Sequence, residues 1–257
     1  MIELHNVRVD YDGAPRPAVR DATLTISGGT FVALVGPSGS GKTSLLKTIN
    51  RLVEPTSGAI RIEDRDIGEF APHDLRRRIG YVFQGVGLFP HMSVRENIAI
   101  TPSLLGWPRE NIAARVEAVF DLIALPRDYL DRPPAALSGG ERQRVAVARA
   151  LAAEPRIVIM DEPFGALDPV TRDALGRAYR ALHERMNLTT IMVTHDVQEA
   201  ALLADRIVVL GDGAIIADDT PRAMLTGAHP QVATLFETPR RQAARIADLA
   251  RDAGQSP

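Results

Sequence analysis

Gly36-Pro37-Ser38-Gly39-Ser40-Gly41-Lys42-Thr43 has the spacing of a phosphate cradle: a glycine, four further residues, then Gly-Lys-Thr. Glycines let the backbone aim successive N–H groups into one concavity, and a helix N-terminus adds a favourable potential for an anion. In such a loop the lysine, Lys42, reaches β- and γ-phosphates and the hydroxyl of Thr43 ligates Mg²⁺. A Gly/Ser-rich turn with an incidental lysine is the bland alternative. The apolar run Phe31–Val35 before it and the helical pattern from Gly41 to about Arg51 supply the strand–loop–helix context that the motif needs. A second reactive pair, Asp161-Glu162, closes the apolar run Ile157-Val158-Ile159-Met160. At the carboxyl end of a parallel strand, Asp161 can orient a magnesium ion beside the loop, and Glu162, pointing differently, can polarise an attacking water. Alone, the two acids read as readily as a strand end before the turn residue Pro163; the phosphate loop in the same chain favours the chemical reading.

These groups need strands that end where the chemistry begins. Residues 2–9 and 18–26 alternate or cluster β-branched side chains and read as two early strands, and Phe31–Val35 is a compact strand stopped by Gly36. A turn at Glu54–Gly58 precedes extended structure at Ala59–Glu63, and Gly80–Gln84 reads as another short strand. Between about Gly85 and Leu137 the pattern predicts helices over about 94–100 and 109–124 and no strand, the first opened by the capping box Ser93-x-x-Glu96. From Arg156 the alternation returns, with strands at 156–161, 189–194 and 206–210 and helices at about 170–186 and 197–203. This order predicts an α/β fold with a mostly parallel sheet covered on both faces. Thr220-Pro221 opens a helical tail over 221–252, and Gly254–Pro257 is expected to fray.

Leu137-Ser138-Gly139-Gly140-Glu141-Arg142-Gln143-Arg144 is a third constellation. Ser138-x-x-Glu141 is another capping box, opening a helix through about Ala153. Adjacent glycines in a first turn cost about 1 kcal/mol each relative to alanine. Such a cost suggests a backbone that another group approaches closely, and a helix N-terminus favours an anion.

Taken in order, these segments resemble the ATP-binding subunits of ABC transporters, over most of the chain. The resemblance makes Gly36–Thr43 the Walker A loop, Asp161 and Glu162 the Walker B aspartate and catalytic glutamate, and Leu137–Glu141 the signature, with Glu141 where the family usually has glutamine. It places Tyr11 under adenine, Gln84 at the Q-loop, Asp168 in the D-loop Ala166-Leu167-Asp168, and His195 at the switch that bonds the γ-phosphate. By residue type alone Tyr11 is also a strand-end core aromatic, His195 a helix-start residue beside a capping Asp196, and Gln84 a polar strand end. The fold implied is a P-loop NTPase of the ABC ATPase kind. It has a RecA-like core from 1–84 and 156–217 with an N-terminal antiparallel β part, an inserted helical subdomain at 85–155 and a short tail at 218–257. ATP and Mg²⁺ are the implied cofactors, the metal held by Thr43, Gln84 and Asp161. Two copies then face head to tail, so that Leu137, Ser138, Gly139, Gly140 and Glu141 touch the nucleotide bound to the other copy.

Composition narrows the partners. The chain has 257 residues, with 30 Lys+Arg against 32 Asp+Glu and a net charge of −2, which lacks the basic excess of a nucleic-acid binder. No cysteine is present, so thiolate and disulfide chemistry are excluded. Met1-Ile2-Glu3-Leu4-His5 predicts no secretory leader, and every apolar run falls far short of the ~20 residues that span a bilayer. Work at a membrane therefore requires docking, and the resemblance implies docking on the cytoplasmic face through permease subunits that contact residues 85–98.

Asn50–Gly58, Gly87–Ile98, Thr101–Trp107 and Pro163–Pro169 look like importers of glycine betaine, choline and carnitine. In that setting an extracytoplasmic solute-binding protein acts indirectly, and Leu88, Phe89 and Met92 are the expected exposed groove residues, although a subdomain core explains them almost as well. Many members of that group carry paired CBS modules; the about forty residues after 217 are too few, so none is expected here. A polar amino acid importer, an exporter or a non-transport ABC ATPase are the alternatives.

Overall fold

Strands without polar alternation must bury both faces, and three segments of this chain do so along their whole length: Phe31–Val35, Ile157–Asp161 and Thr189–Val193. The computed structural model describes residues 1–227 and 229–253; the fraying expected at Gly254–Pro257 lies outside them. The first part of the chain runs β1 (Ile2–Val9), β2 (Val19–Ile26), β3 (Phe31–Val35), α1 (Lys42–Ile49), β4 (Ser57–Ile62), β5 (Arg65–Asp66), α2 (Pro72–Arg78) and β6 (Ile79–Val82). A helical stretch follows, α3 (Val94–Leu104), α4 (Arg109–Leu122) and α5 (Gly139–Leu151). The remainder is β7 (Ile157–Asp161), α6 (Pro169–Met186), β8 (Thr189–Val193), α7 (Val197–Leu203), β9 (Arg206–Gly211), β10 (Ala214–Asp219), α8 (Pro221–Thr226) and α9 (Ala233–Ala253).

Two sheets result. The larger has the order β10-β9-β3-β8-β7-β6 and is parallel except where β10 pairs antiparallel with β9. The smaller, β2-β1-β4-β5, is antiparallel. Because successive strand residues face opposite sides, β3 divides two cores. Phe31, Ala33 and Val35 join the core that contains α5 and α6, whereas Val32 and Leu34 join the core shared with α1 and the antiparallel sheet. The fold class is thus the expected α/β architecture with a mostly parallel core sheet, an N-terminal antiparallel part and a helical segment between β6 and β7.

Local differences from the sequence reading have physical reasons. β6 spans Ile79–Val82 rather than Gly80–Gln84, because the chain turns at Gln84-Gly85 before Val86 adopts φ 64°. α2 has only seven residues, started by Pro72 and ended by Arg76, Arg77 and Arg78; that is too short to show a helical period. β10 was not anticipated, and the boundary expected at 217/218 cuts through it. It is a half-exposed edge strand whose short apolar run Ala214–Ala217 gives way to Asp218 and Asp219, too brief to mark a strand on its own. The tail is two helices and not one: α8 stops at Gly227, which takes φ 83° as a left-handed cap.

The segment entering the helical part is tied down by two side chains. Arg149 of α5 donates to the carbonyls of Gly87 at 2.6 Å and Val86 at 3.1 Å. Asn97 of α3, fully buried, accepts from Phe89 N at 2.8 Å and donates to the carbonyls of Phe89, Met92 and Ser93 at 3.1, 3.1 and 2.9 Å. The capping box at Ser93 and Glu96 completes the attachment. Since a buried polar group that loses its partner bears its full desolvation cost, Asn97→Ala is expected to lower unfolding free energy by about 1–3 kcal/mol in urea denaturation. A change below a few tenths would mean that water replaces the amide.

Candidate functional site

The loop between β3 and α1 is shaped by close backbone approach. A Cβ at Gly36 would lie 2.2 Å from the Leu210 carbonyl oxygen, and one at Gly41, where φ is 98°, 2.1 Å from that of Ala18. Lys42, largely buried, turns its ammonium into the loop and donates to the carbonyls of Gly36 and Pro37, both at 2.8 Å, and to Ser40 Oγ at 3.4 Å. Burial lowers the lysine's pKa, an effect opposed by the Glu162 and Asp161 carboxylates. Ser38 and Gly39 form the exposed tip between Pro37 and Ser40.

Parallel pairing brings the distant acids to this loop. Asp161 ends β7 opposite Val193 of β8, and β8 pairs in turn with β3. As a result Thr43 Oγ1 donates to Asp161 Oδ1 at 3.0 Å, across 118 residues of sequence. A hydroxyl and a desolvated carboxylate side by side form a hard-oxygen pair suited to Mg²⁺, which takes one or two protein ligands and fills its shell with phosphate oxygens and water. Among the described residues, no group of three or more His, Cys, Asp or Glu side chains is placed to hold a metal ion, in keeping with that sparse donor set. Gln84 is exposed in the turn beyond β6, and β6 lies beside β7 with Val82 paired to Met160, the residue before Asp161.

Glu162 takes φ 49°, in the left-handed region, so its side chain leaves the line of the strand while its N–H still donates to Val193 O at 2.9 Å. Its Oε1 lies 3.5 Å from Nδ1 of His195, which is 68% exposed just before α7. The two residues anticipated as a catalytic pair therefore face one another at the ends of adjacent strands. Tyr11 is exposed and donates its hydroxyl to Ser44 Oγ at 3.1 Å. That position beside the loop removes the core-aromatic reading. Asp168 caps α6, accepting from Val170 N at 3.1 Å and Thr171 N at 3.0 Å; the Thr171 hydroxyl, together with these backbone bonds, holds its carboxyl below the usual range.

At the start of α5 both halves of the capping box are present: Glu141 N donates to Ser138 Oγ at 3.3 Å, and Ser138 N to Glu141 Oε2 at 2.7 Å. The backbone bond from Ser138 pulls the Glu141 pKa down. Leu137 is buried beneath the turn and Ser138 is exposed. The two glycines differ. A Cβ at Gly140 would press on Leu167 Cδ2 at 3.0 Å and the Ala166 carbonyl oxygen at 3.3 Å, so packing within the chain explains it. A Cβ at Gly139 would meet nothing within 4 Å. The chain itself gives no steric reason for that glycine.

Sequence reasoning missed two residues that hold the 162–168 turn. Gln143, buried, bonds both the Glu162 carbonyl and Ala166 N. Arg172 donates to Leu167 O at 3.1 Å and to Asp196 Oδ2 at 3.2 Å, joining the turn to the residue after His195. Gln143 stood in the Leu137–Arg144 constellation without a role of its own, and Arg172 carried no signal beyond its place one turn inside α6. Away from this site, a groove of about 640 Å³ runs between the core and the helical segment, lined by Tyr81, Phe83, Phe89, Leu104 and Arg149 among others. Of the three apolar residues expected to be exposed, Phe89 is. Leu88 packs against the core and Met92 is half-buried, while Phe83 and Leu104 are exposed.

Comparison with known proteins identifies the relatives of this chain. The family model described as ABC transporter matches residues 19–165. The chain is 51% identical over 225 residues to the carnitine transport ATP-binding protein OpuCA of Listeria monocytogenes, covering 88% of this chain and 56% of that protein. It is 49% identical to the glycine betaine/carnitine/choline transport ATP-binding protein OpuCA of Bacillus subtilis, with 88% and 59% covered. For the glycine betaine uptake system ATP-binding protein YehX of Escherichia coli the identity is 46%, with 88% and 73% covered. The chain thus spans a little over half the length of the first two relatives. Among solved structures, the dimeric MJ0796 cassette aligns with a TM-score of 0.80 at 33% identity, over 86% of this chain and 99% of that one.

The buried carboxylate at the centre of the site supplies a stability test. Burial raises the pKa of Asp161, and the Thr43 hydrogen bond only partly offsets this. A carboxyl whose folded pKa lies above its unfolded value binds its proton more readily when folded, so its ionisation counts against the fold above that pKa. Asp161→Asn is accordingly expected to raise Tm at pH 7, with the gain shrinking as pH falls through the titration of Asp161. A lower Tm in the variant at neutral pH would mean that the charge is fully compensated by Thr43 and the lysines.

Proposed function

Because the chain belongs to the ABC transporter family of ATP-binding subunits, we propose that it binds and hydrolyses ATP between two copies of itself and so energises import of a small solute. The observation that carries this reading is the meeting of the phosphate loop with the end of β7: the Thr43–Asp161 bond at 3.0 Å beside the Glu162–His195 pair at 3.5 Å.

In this reading the N–H groups of Gly36–Thr43 cradle the phosphates, the Lys42 ammonium exchanges its loop carbonyls for β- and γ-phosphate oxygens, and Tyr11 stacks on adenine. Thr43 and Asp161 would hold Mg²⁺, with Gln84 from the turn beyond β6 as a further ligand. When bound, the ion neutralises charge building on the phosphate oxygens. Glu162 polarises the attacking water and His195 bonds the γ-phosphate while restraining the glutamate. Ser138, Gly139 and Gly140, with Leu137 and Glu141 fixing their turn, close over the nucleotide bound to the other copy. The open space at Gly139 supports an approach from outside the chain, and the dimeric cassette at 33% identity supports the pairing. Asp168 serves by capping α6 at the same face.

Relatives named for carnitine, glycine betaine and choline support an osmoprotectant or similar quaternary amine as the cargo. No helix among the described residues is long and apolar enough to cross a membrane. The relatives' names as transport ATP-binding proteins support peripheral docking at the cytoplasmic face, with the groove beside residues 85–98 receiving a permease segment. A solute-binding protein outside the membrane acts through that permease, and nucleic acid is not a partner.

Glu162→Gln keeps shape and removes the charge that activates water. Its ATPase rate is expected to fall by about 10²-fold or more, with ATP driving a stable dimer that size-exclusion chromatography detects. A variant that stays monomeric with ATP and Mg²⁺ would count against the two-copy site.

A further inference from the structure

Gln143 lies one turn inside α5, 2% exposed, and spends both ends of its amide on the turn after β7. Nε2 donates to the Glu162 carbonyl at 2.7 Å, and Oε1 accepts from Ala166 N at 3.0 Å. The first of these bonds touches the peptide that aims Glu162. With φ at 49°, disfavoured for a residue bearing a Cβ, Glu162 keeps its N–H on the sheet, bonded to Val193, and turns its carbonyl off it. Gln143 satisfies that carbonyl, together with a longer contact from Gly165 N at 3.4 Å. A second observation points the same way. The first turn of α5 is seated closely on the same loop at Gly140, where an added Cβ would lie 3.0 Å from Leu167 Cδ2 and 3.3 Å from the Ala166 carbonyl oxygen. A displacement of the α5 N-terminus toward the loop therefore presses on this contact.

We propose that Gln143 is a positioning residue that ties the first turn of α5 to the Glu162 backbone, so that the nucleotide engaged by Ser138–Gly140 on one side sets the aim of Glu162 toward this chain's own nucleotide on the other. The inference rests on the two-copy reading above. Each chain contributes α5 to one composite site and Glu162 to the other, and Gln143 is the hydrogen-bonded link between them. A planar amide bonded at both ends responds to a shift of an ångström or less, since these bonds weaken steeply with distance and angle. Coupling of the two hydrolysis events follows from that geometry.

The test compares the purified full chain with Gln143→Met, which keeps volume and removes both hydrogen bonds. Steady-state ATPase is measured against ATP concentration, and ATP-driven dimerisation is measured in the Glu162→Gln background. Misaiming a reacting group predicts a kcat loss of about tenfold or more. Half-saturating ATP should stay within about twofold, because binding contacts are untouched. The Hill coefficient should fall toward unity and the dimer should persist. Unchanged kcat and Hill coefficient overturn the proposal. Loss of the dimer also overturns it, since Gln143 would then merely support the binding surface. If Glu162→Gln with Gln143 intact forms no ATP-driven dimer, the two-copy reading has failed, and the kcat of Gln143→Met alone decides whether the tie to Glu162 exists. Should Gln143→Met not fold, Gln143→Glu keeps the length and the acceptor for Ala166 N but loses the donor to Glu162, and it is read by the same two measurements.

Discussion

Parallel pairing of β3, β8 and β7 is the constraint on which the rest of the site depends. Leu34 pairs with Val193, and Val193 with Asp161, so the phosphate loop, the acidic strand end and the approach to His195 all leave the sheet at one level. Register is secured because each of these strands is buried along its whole length. A one-residue slip would send Phe31, Ala33 and Val35 into the wrong core. The hydrogen bond from Thr43 to Asp161 is a consequence of that register as much as a support for it.

The parts of this arrangement that were legible in the sequence are those whose physics is local. Gly36–Thr43 announced itself through spacing and through the strand before it, and the capping boxes at Ser93 and Ser138 formed as a serine and a glutamate three apart predict. What was not legible depends on partners far away in the chain. β10 forms because β9 offers it an edge, and α2 is fixed by Leu75 entering the core beneath the antiparallel sheet. Neither has a period long enough to recognise. Leu88 and Phe89 are alike by type, and only the fold packs one against the core and leaves the other exposed in the groove. Similarly, Gln84 was read as the end of a strand that stops two residues earlier.

The neighbouring glycines of the α5 cap show how one local cost can have two origins. Gly140 is favoured by its close contact with Leu167 and Ala166, whereas a Cβ at Gly139 would meet nothing within 4 Å of its own chain. Helix propensity alone assigns the same penalty to both. Only the surroundings separate a packing glycine from one that leaves a surface clear. In the same way Gln143 and Arg172 look like ordinary polar helix residues until their bonds to the 162–168 turn are seen.

The Asn97 amide has a mechanical consequence. One buried side chain stitches four backbone groups of residues 89–93 to α3, and Arg149 stitches the preceding carbonyls to α5. A loop held by water would behave as a compliant spring and dissipate a push applied at Phe89. This one is braced at both ends to helices, so a load on the groove rim is delivered stiffly to α3 and α5, the latter being the helix whose N-terminus faces outward at Ser138. The rim is the short arm of a lever, and its rigidity lets small displacements travel without being lost as slack.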